Sequence, residues 1–246
     1  MTRTRLCGLL VMLCLAHGCD GGESPDDEVP LNQGSSTGCP NEADALAGDA
    51  VLQGPLAGDV TGDGDADEVF LAIDEGAEVG CRAFLWLRSG EEIAVTSVAG
   101  EGVEVGLGLP ALLGLKQIDG RRGSDIIVDI ATGASTRFAG VYIFSNASLR
   151  QLEVEGSRPP VEDLFAHGGG VGQLSAVDCA RDGTVIISTA VPGERLYEVD
   201  RITYEVDDEV LRRNPAKDVR ERARLQRIPR LFPEFAGPPF SSCPDA

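Results

Sequence analysis

The sequence predicts an all-β fold built from three four-stranded antiparallel repeats. Three apolar, β-branched segments recur at nearly equal spacing, at residues 68–73, 125–130 and 184–189. Each segment follows a turn that contains an Asp-Gly pair, and no long helical periodicity interrupts the chain between Cys39 and Val210. Because turn and strand recur together, the pattern indicates an internal repeat rather than a chance succession of strands.

Each repeat contains further strands in the same order. The central strands are followed by second strands at residues 82–87, 139–144 and 201–206, and then by amphipathic return strands at 93–96, 149–154 and 210–212. Continuous apolar central strands are expected to be buried on both faces, and alternating return strands are typical of edges that face water. The repeats therefore cover about 48–105, 106–165 and 166–215.

Units of this size and strand order are of the β-propeller type. Closed propellers have about four to eight blades, so three repeats predict an atypical or incomplete propeller unless the chain ends complete a fourth unit. Residues 217–230 are locally basic in an acidic chain. This part of the C-terminal segment, 216–246, is expected to add a strand or to lie as a latch on an acidic face.

The N-terminus predicts export. Arg3 and Arg5 precede a short apolar run at residues 6–16, as in a signal peptide of residues 1–18. The stretch that ends in Gly18-Cys19 resembles a bacterial lipobox, which implies that Cys19 is lipidated and that residues 19–38 form a flexible tether. Residues 39–246 are then a single folded domain, extracytoplasmic and lipid-anchored to the cell membrane. The open alternative is an ordinary signal peptide and secretion.

Cysteine usage agrees with an extracytoplasmic protein. Of the seven cysteines, the four expected to remain in the folded domain are Cys39, Cys81, Cys179 and Cys243. An even number outside the cytoplasm favours two disulfides, for which three pairings are possible. We favour Cys39–Cys81 and Cys179–Cys243, because each pair would fix one end of the domain to a nearby strand. Without a Cys-x-x-Cys pair, the cysteines do not indicate a zinc site.

The first turn carries the strongest chemical signal. Between residues 58 and 69, oxygen-bearing side chains alternate along the chain, at Asp59, Thr61, Asp63, Asp65 and Asp67. A hard cation such as Ca²⁺ takes about six to eight oxygen ligands, and a loop curled around it presents alternate residues. Gly62 and Gly64 permit the tight backbone path that such a loop needs. The spacing therefore predicts a divalent-cation site.

This loop begins like an EF-hand, but Phe70 stands where the final glutamate belongs and a strand follows. It resembles instead the calcium loop of FG-GAP/VCBS repeats, the blades of integrin-α-like propellers. The resemblance implies side-chain ligands from Asp59, Asp63 and Asp67, a hydroxyl from Thr61 and a backbone carbonyl from Asp65. It further implies one structural Ca²⁺ site, of the weak extracellular class with a Kd of roughly 10⁻⁴ to 10⁻³ M.

The corresponding turns of the other repeats are not expected to bind an ion. In the second turn, Arg121 and Arg122 stand where the ion would be, so a guanidinium paired with Asp119 or Asp125 would replace its charge. The third turn, around Asp182-Gly183, is shortened.

Composition limits the partners. The chain has 40 acidic and 21 basic side chains, a net charge of −19, which disfavours nucleic acid and leaves the lipid anchor as the expected contact with a membrane. Aromatic residues of the second strands, Trp86, Tyr142, Phe144 and Tyr204, are expected in the core, and any that face outward would contact a partner. A monomer that binds an unidentified protein or carbohydrate is the resulting expectation.

Catalysis is not expected. His167 is followed by three glycines, as in the oxyanion loop of esterases, but the Gly-x-Ser-x-Gly match of the sequence, at residues 34–38, falls in the expected tether and does not follow a predicted strand as a nucleophile elbow would. The glycine run is instead expected to form a turn between the second and third repeats. The alternative is a secreted hydrolase on a β-repeat scaffold, which would require a cleft that holds His167 and converging acids.

Overall fold

The structure is a computed structural model that describes residues 51–74, 76–77, 81–98, 110–133, 135–158, 162–170 and 172–245. In these residues the chain is mostly β-strand, arranged in two open sheets, which confirms the all-β prediction. The predicted signal peptide (1–18), lipidated Cys19 and tether (19–38) lie outside the described residues.

The first sheet contains four strands in chain order. They are β1 (Val51–Gly58), β2 (Asp67–Ile73), β3 (Ala83–Ser89) and β4 (Glu92–Ser97). All three pairings are antiparallel. The strands predicted at residues 68–73, 82–87 and 93–96 correspond closely to β2, β3 and β4.

The second sheet begins with a similar meander. It consists of β5 (Ala111–Lys116), β6 (Asp125–Thr132), β7 (Thr136–Ser145) and β8 (Ser148–Gln151), again paired antiparallel in this order. The return strand predicted at residues 149–154 is divided at Leu152, where a separate short strand β9 (Glu153–Val154) follows. Leu152 is fully buried and its N–H donates to the Val141 carbonyl at 2.8 Å, so the chain turns into the core at this residue.

A third group of strands completes this sheet. It consists of β10 (Phe165–Gly170), β11 (Gln173–Cys179), β12 (Val185–Pro192), β13 (Tyr197–Asp207) and β14 (Val210–Arg213). Neighbours in this series pair antiparallel, and β9 lies parallel to β14. The last three strands contain the positions predicted at residues 184–189, 201–206 and 210–212 almost entirely.

The structure corrects the expected boundary between the second and third repeats. β10 pairs with β7 as well as with β11, so the two groups form one continuous sheet and the boundary after residue 165 falls inside a strand. His167 lies in this strand and not in a turn. Gly168 and Gly169 have positive φ angles of 81° and 118°, yet both still pair with β11, so the glycine run continues the strand. A Cβ at Gly169 would lie 2.2 Å from the Gln173 carbonyl oxygen, so the glycines permit close strand approach.

The central strand β6 is buried on both faces, as predicted. Its residues Ile126 and Val128 share one apolar cluster with Val69 and Leu71 of β2, whereas Ile127 points into a second cluster formed with the third group of strands. Successive side chains of a strand face opposite sides. β6 therefore joins the first sheet to the rest of the core.

The aromatic residues of the second strands serve the core. Trp86, Tyr142 and Tyr204 are buried, and Phe144 is partly buried against the first cluster. The Tyr142 hydroxyl donates to the Val98 carbonyl at 2.9 Å, and burial raises the pKa of this phenol above its ordinary value. The interpretation of these residues as core packing is confirmed.

The basic C-terminal segment adds a strand. β15 (Val219–Ala223) pairs antiparallel with β13 and places its arginines opposite acids of that strand. Arg220 forms an ion pair with Asp200, and Arg222 lies 2.5 Å from Glu198. The segment thus acts both as an additional strand and as a latch over acidic residues, as the sequence predicted.

The last residues are fixed into the second cluster. After a short helix α1 (Ile228–Leu231), the Phe240 N–H donates to the Val177 carbonyl at 3.0 Å, and its fully buried ring packs edge-on against Phe165 at 5.2 Å. Cys243 forms a disulfide with Cys179, which confirms that predicted pair.

Only one cysteine of the second predicted disulfide lies in the described residues. Cys81 is disulfide-bonded and packs beside the outer apolar cluster of the first sheet, which contains Phe84 and Trp86. Its predicted partner Cys39 lies outside the described residues. The Cys39–Cys81 pairing therefore stays a prediction.

The packing of Phe240 predicts a large effect on stability. Phe240→Ala should lower the free energy of unfolding by about 3–5 kcal/mol, because it leaves a cavity against Phe165. The measurement is urea unfolding of the oxidised protein. Leu231→Ala is the control, since Leu231 is 47% exposed and should change stability little. Equal effects of the two substitutions would contradict the assigned core.

Candidate functional site

The first turn is organised by a buried carboxylate at the start of β2. Asp67 is 1% exposed, and its Oδ2 accepts the backbone N–H groups of Val60 at 2.7 Å and Thr61 at 2.8 Å. A buried carboxylate is costly unless it is hydrogen-bonded, and these two bonds fix the chain path on the far side of the turn.

Asp59, at the N-terminal end of the turn, accepts backbone hydrogen bonds from two of its glycines. Its Oδ1 accepts from the Gly62 N–H at 2.7 Å and its Oδ2 from the Gly64 N–H at 3.0 Å. Both glycines have positive φ angles, of 81° and 97°, which only glycine adopts readily. The alternating Asp and Gly residues therefore form a tight loop, as the sequence predicted.

Two oxygen atoms inside this loop have no hydrogen-bond partner among the described residues. They are Asp67 Oδ1 and Thr61 Oγ1, and both are buried. An unsatisfied buried polar atom costs about 1–3 kcal/mol. Oxygen is the donor type that Ca²⁺ prefers, so the donor set of the loop fits this ion in its chemistry.

The remaining predicted ligands lie further out. Asp63 and Asp65 are exposed, and Asp63 Oδ1 accepts the Asp65 N–H at 2.8 Å. In the described part of the chain, no three acidic, histidine or cysteine side chains converge as a metal-binding group. The structure thus brings Asp59, Thr61 and Asp67 around one bend and leaves the two outer carboxylates facing solvent.

The second turn repeats the backbone arrangement of the first. Asp125 Oδ2 accepts the N–H groups of Ile118 at 2.6 Å and Asp119 at 2.8 Å, just as Asp67 does for Val60 and Thr61. The two turns also touch, because the Ser124 N–H donates to the Asp59 carbonyl at 2.7 Å.

A guanidinium occupies the second turn. Counting from the buried aspartate, Arg121 stands where the first turn has Asp63. Its guanidinium lies 3.8 Å from Asp119, 3.4 Å from Glu209 and 3.7 Å from Asp208. The expected pairing of an arginine with Asp119 is confirmed for Arg121.

The third turn is also neutralised by a basic side chain. Asp182 accepts the Thr184 hydroxyl at 2.7 Å and lies 3.0 Å from the Lys217 ammonium, which also contacts Glu205. Hydrogen bonds from Thr184 and Lys217 lower the pKa of Asp182 to about 2. Among the described residues, the carboxylates of the first turn form no such ion pair, so it differs from both others in its charge balance.

A second group of buried polar residues surrounds His167. Its Nε2 lies 2.6 Å from Asp129 Oδ1, and Arg137 forms an ion pair with the other oxygen of that carboxylate. His167 also lines a cavity of about 370 Å³ together with Ser175 and Glu234. Sequence reasoning missed this group because its members lie on separate strands and on the C-terminal segment, with no shared spacing.

The chain has no match among known proteins in three comparisons. No protein-family model, no curated protein and no solved structure is significantly similar to it. In the part of the chain that the structure describes, no helix has the length and apolar character to cross a bilayer.

The second turn predicts a pH effect on stability. Burial, reinforced by the charge of Asp119, raises the pKa of Asp125 from 3.8 to about 7. A raised carboxyl pKa gives a stabilising contribution that is complete below 3.8 and is lost as the pH rises through about 7. The difference in unfolding free energy between Asp125→Asn and the wild type should therefore change between pH 4 and pH 8, by a few kcal/mol.

Asp182→Asn is the matched control for this experiment. The pKa of Asp182 is lowered to about 2, so its contribution is lost only as the pH falls toward that value. Its difference from the wild type should stay flat over the same range in urea titrations at each pH. A flat profile for Asp125→Asn as well would contradict the assignment.

Proposed function

We propose that this chain is an extracytoplasmic, lipid-anchored, calcium-binding β-repeat protein with a structural or ligand-binding role. The observation that carries the proposal is the first turn, where a tight acidic loop holds two buried oxygens without partners. The role suggested is that of an adhesion or scaffold module, not of a catalyst.

The proposed architecture is three blade-like units of propeller type, stacked but not closed into a ring. Support comes from the two meanders with the same strand order and from the matching hydrogen bonds of Asp67 and Asp125. The apolar clusters on either side of β6 are what face-to-face stacking of blades would bury.

One Ca²⁺ ion is proposed at the first turn. The ligands would be side-chain oxygens of Asp59, Thr61, Asp63 and Asp67 together with the backbone carbonyl of Asp65. Bound Ca²⁺ would supply the positive charge that Arg121 and Lys217 supply at the other two turns. Asp63 and Asp65 are exposed and precede β2, so the proposal requires them to turn toward the buried pair.

Localisation and partners follow from the sequence. A lipid on Cys19 and a polar tether at residues 20–38 would hold the domain away from the membrane surface. Extracytoplasmic calcium is compatible with a weak site, and the proposed partner is a protein or a carbohydrate. The net charge of −19 argues against nucleic acid.

The alternative of a secreted hydrolase has one supporting observation, the buried Asp129–His167 pair beside a cavity. Such a pair can orient a general base. A nucleophile would have to bond to His167, and among the described residues no hydrogen bond joins Ser175 to His167; the Ser175 hydroxyl accepts from the Gln173 amide at 3.3 Å. Glu234 is the one carboxylate among the described residues that line the cavity, whereas glycosidase chemistry needs two.

The calcium proposal predicts ligand-dependent stability. Addition of 10 mM CaCl₂ to the chelator-treated protein should raise the free energy of unfolding by about 1–3 kcal/mol, since the ion binds only the folded loop. The measurement is thermal unfolding by calorimetry, at ionic strength matched with NaCl. Asp63→Ala should abolish the shift because it removes the side-chain oxygens of a ligand that has no part in the core.

Asp65→Ala is the matched control in the same loop. Only the backbone carbonyl of residue 65 is proposed to bind, so this variant should keep the calcium shift. An unshifted wild type, or an equal shift with NaCl alone, would overturn the calcium site. Loss of the shift in both variants would show that loop charge, and not ligation, is responsible.

Arg121 offers a complementary test. Arg121→Asp places a carboxylate beside Asp119 and Asp125, so it should destabilise the calcium-free protein and enlarge its response to calcium. Arg230→Asp, at an exposed position on α1, adds the same charge and should leave the response unchanged. If the two variants respond alike in calorimetric titrations, the guanidinium does not stand in for an ion.

A further inference from the structure

The cavity beside His167 lies between two strands and the C-terminal segment. β10 and β11 form one wall, and residues 225–239 form the other. Its volume of about 370 Å³ is in the range of small-molecule sites. Leu174, Leu225 and Phe235 contribute apolar surface, so the cavity has the mostly apolar lining with few polar groups that is typical of binding sites.

The polar groups of the cavity are fixed in place. His167 is held by its bond to Asp129; with a proton on Nε2 to donate to that carboxylate, Nδ1 is an acceptor. The Ser175 hydroxyl accepts from the Gln173 amide, which leaves its own hydrogen to donate. Both residues are at most 9% exposed, so neither carries a mobile surface group.

Glu234 is the third polar group, and its charge is already compensated. Its Oε1 accepts the Ser188 hydroxyl and the Arg201 guanidinium, each at 2.7 Å. Both of these bonds use the same oxygen, so Oε2 remains as an acceptor. Because Arg201 neutralises the carboxylate, the site has no net charge to attract a cation, and the net charge of −19 disfavours an anion.

We propose that this cavity binds one unit of a neutral carbohydrate. Sugar hydroxyls can donate to Glu234 Oε2 and His167 Nδ1 and accept from Ser175, and a sugar ring has apolar C–H faces for Leu174 and Phe235. The inference rests on the proposed ligand-binding role, but it is independent of calcium at the first turn. It assigns the carbohydrate to the face formed by β11 and the C-terminal segment.

The test uses saturation-transfer NMR and titration of the full-length chain with D-glucose, D-galactose and N-acetyl-D-glucosamine. D-Glucosamine and D-glucuronate serve as cationic and anionic probes of the same size. A neutral sugar should bind with a Kd on the order of millimolar, as expected for a ligand of few atoms. Both charged probes should bind more weakly than that sugar.

Two variants locate the binding. Leu225→Trp blocks the rim at a residue that is 37% exposed, and Glu234→Gln changes the acceptor; each should weaken binding at least tenfold. Leu231→Trp is the matched control, since Leu231 is exposed on α1 and does not line the cavity. Because Glu234→Gln also affects the core, Leu225→Trp decides the result if that variant does not fold.

The proposal is overturned if no neutral sugar binds, if a charged probe binds more tightly, or if Leu225→Trp binds as the wild type does. Calcium shifts measured on the same samples separate the two proposals. A normal calcium shift without sugar binding removes the carbohydrate site alone. Sugar binding that Leu225→Trp abolishes, in a protein without a calcium shift, supports the carbohydrate site and removes only the ion.

Discussion

The first two turns depend on a single kind of contact, a buried aspartate that accepts two backbone N–H groups from the other side of the bend. Asp67 and Asp125 each make this contact at the first residue of a central strand. Because a buried carboxylate is costly unless it is hydrogen-bonded, the contact fixes where β2 and β6 begin. Strand register follows from that starting point, and a shift of one residue would turn every apolar side chain to the wrong face.

The same contact explains how charge is distributed over the turns. Carboxylates that are held close together need a compensating positive charge, and the second and third turns obtain it from Arg121 and Lys217. Lys217 comes from the C-terminal segment, whose strand β15 also brings arginines to acids of β13. The first turn retains its acidic side chains and two buried oxygens without partners among the described residues, which is the basis of the proposal that an ion binds at this turn.

The C-terminal segment has a second role, since it builds the wall of the cavity that faces β10 and β11. Its covalent tie through Cys179–Cys243 and the packing of Phe240 hold that wall against the sheet. Two polar residues of the cavity are hydrogen-bonded to side chains outside its lining: His167 to Asp129, and Glu234 to Arg201. Polar side chains held by such bonds would lower the entropic cost of binding the proposed ligand.

Local patterns were enough to predict the central, second and return strands, the tight acidic loop at residues 59–67 and an arginine paired with an aspartate of the second turn, because alternation, turn residues and charge act over a few positions. Three features were decided only by tertiary structure. The glycine run after His167 could have formed either a turn or a strand, since glycine permits both. Its pairing with β7 makes it part of strand β10. The segments 68–73 and 125–130 correspond with an offset of 57 residues, whereas the equivalent hydrogen bonds of Asp67 and Asp125 give an offset of 58, a register that apolar runs alone do not specify. The cavity of His167, Ser175 and Glu234 joins residues far apart in the chain, and no spacing in a sequence records a contact that only packing creates.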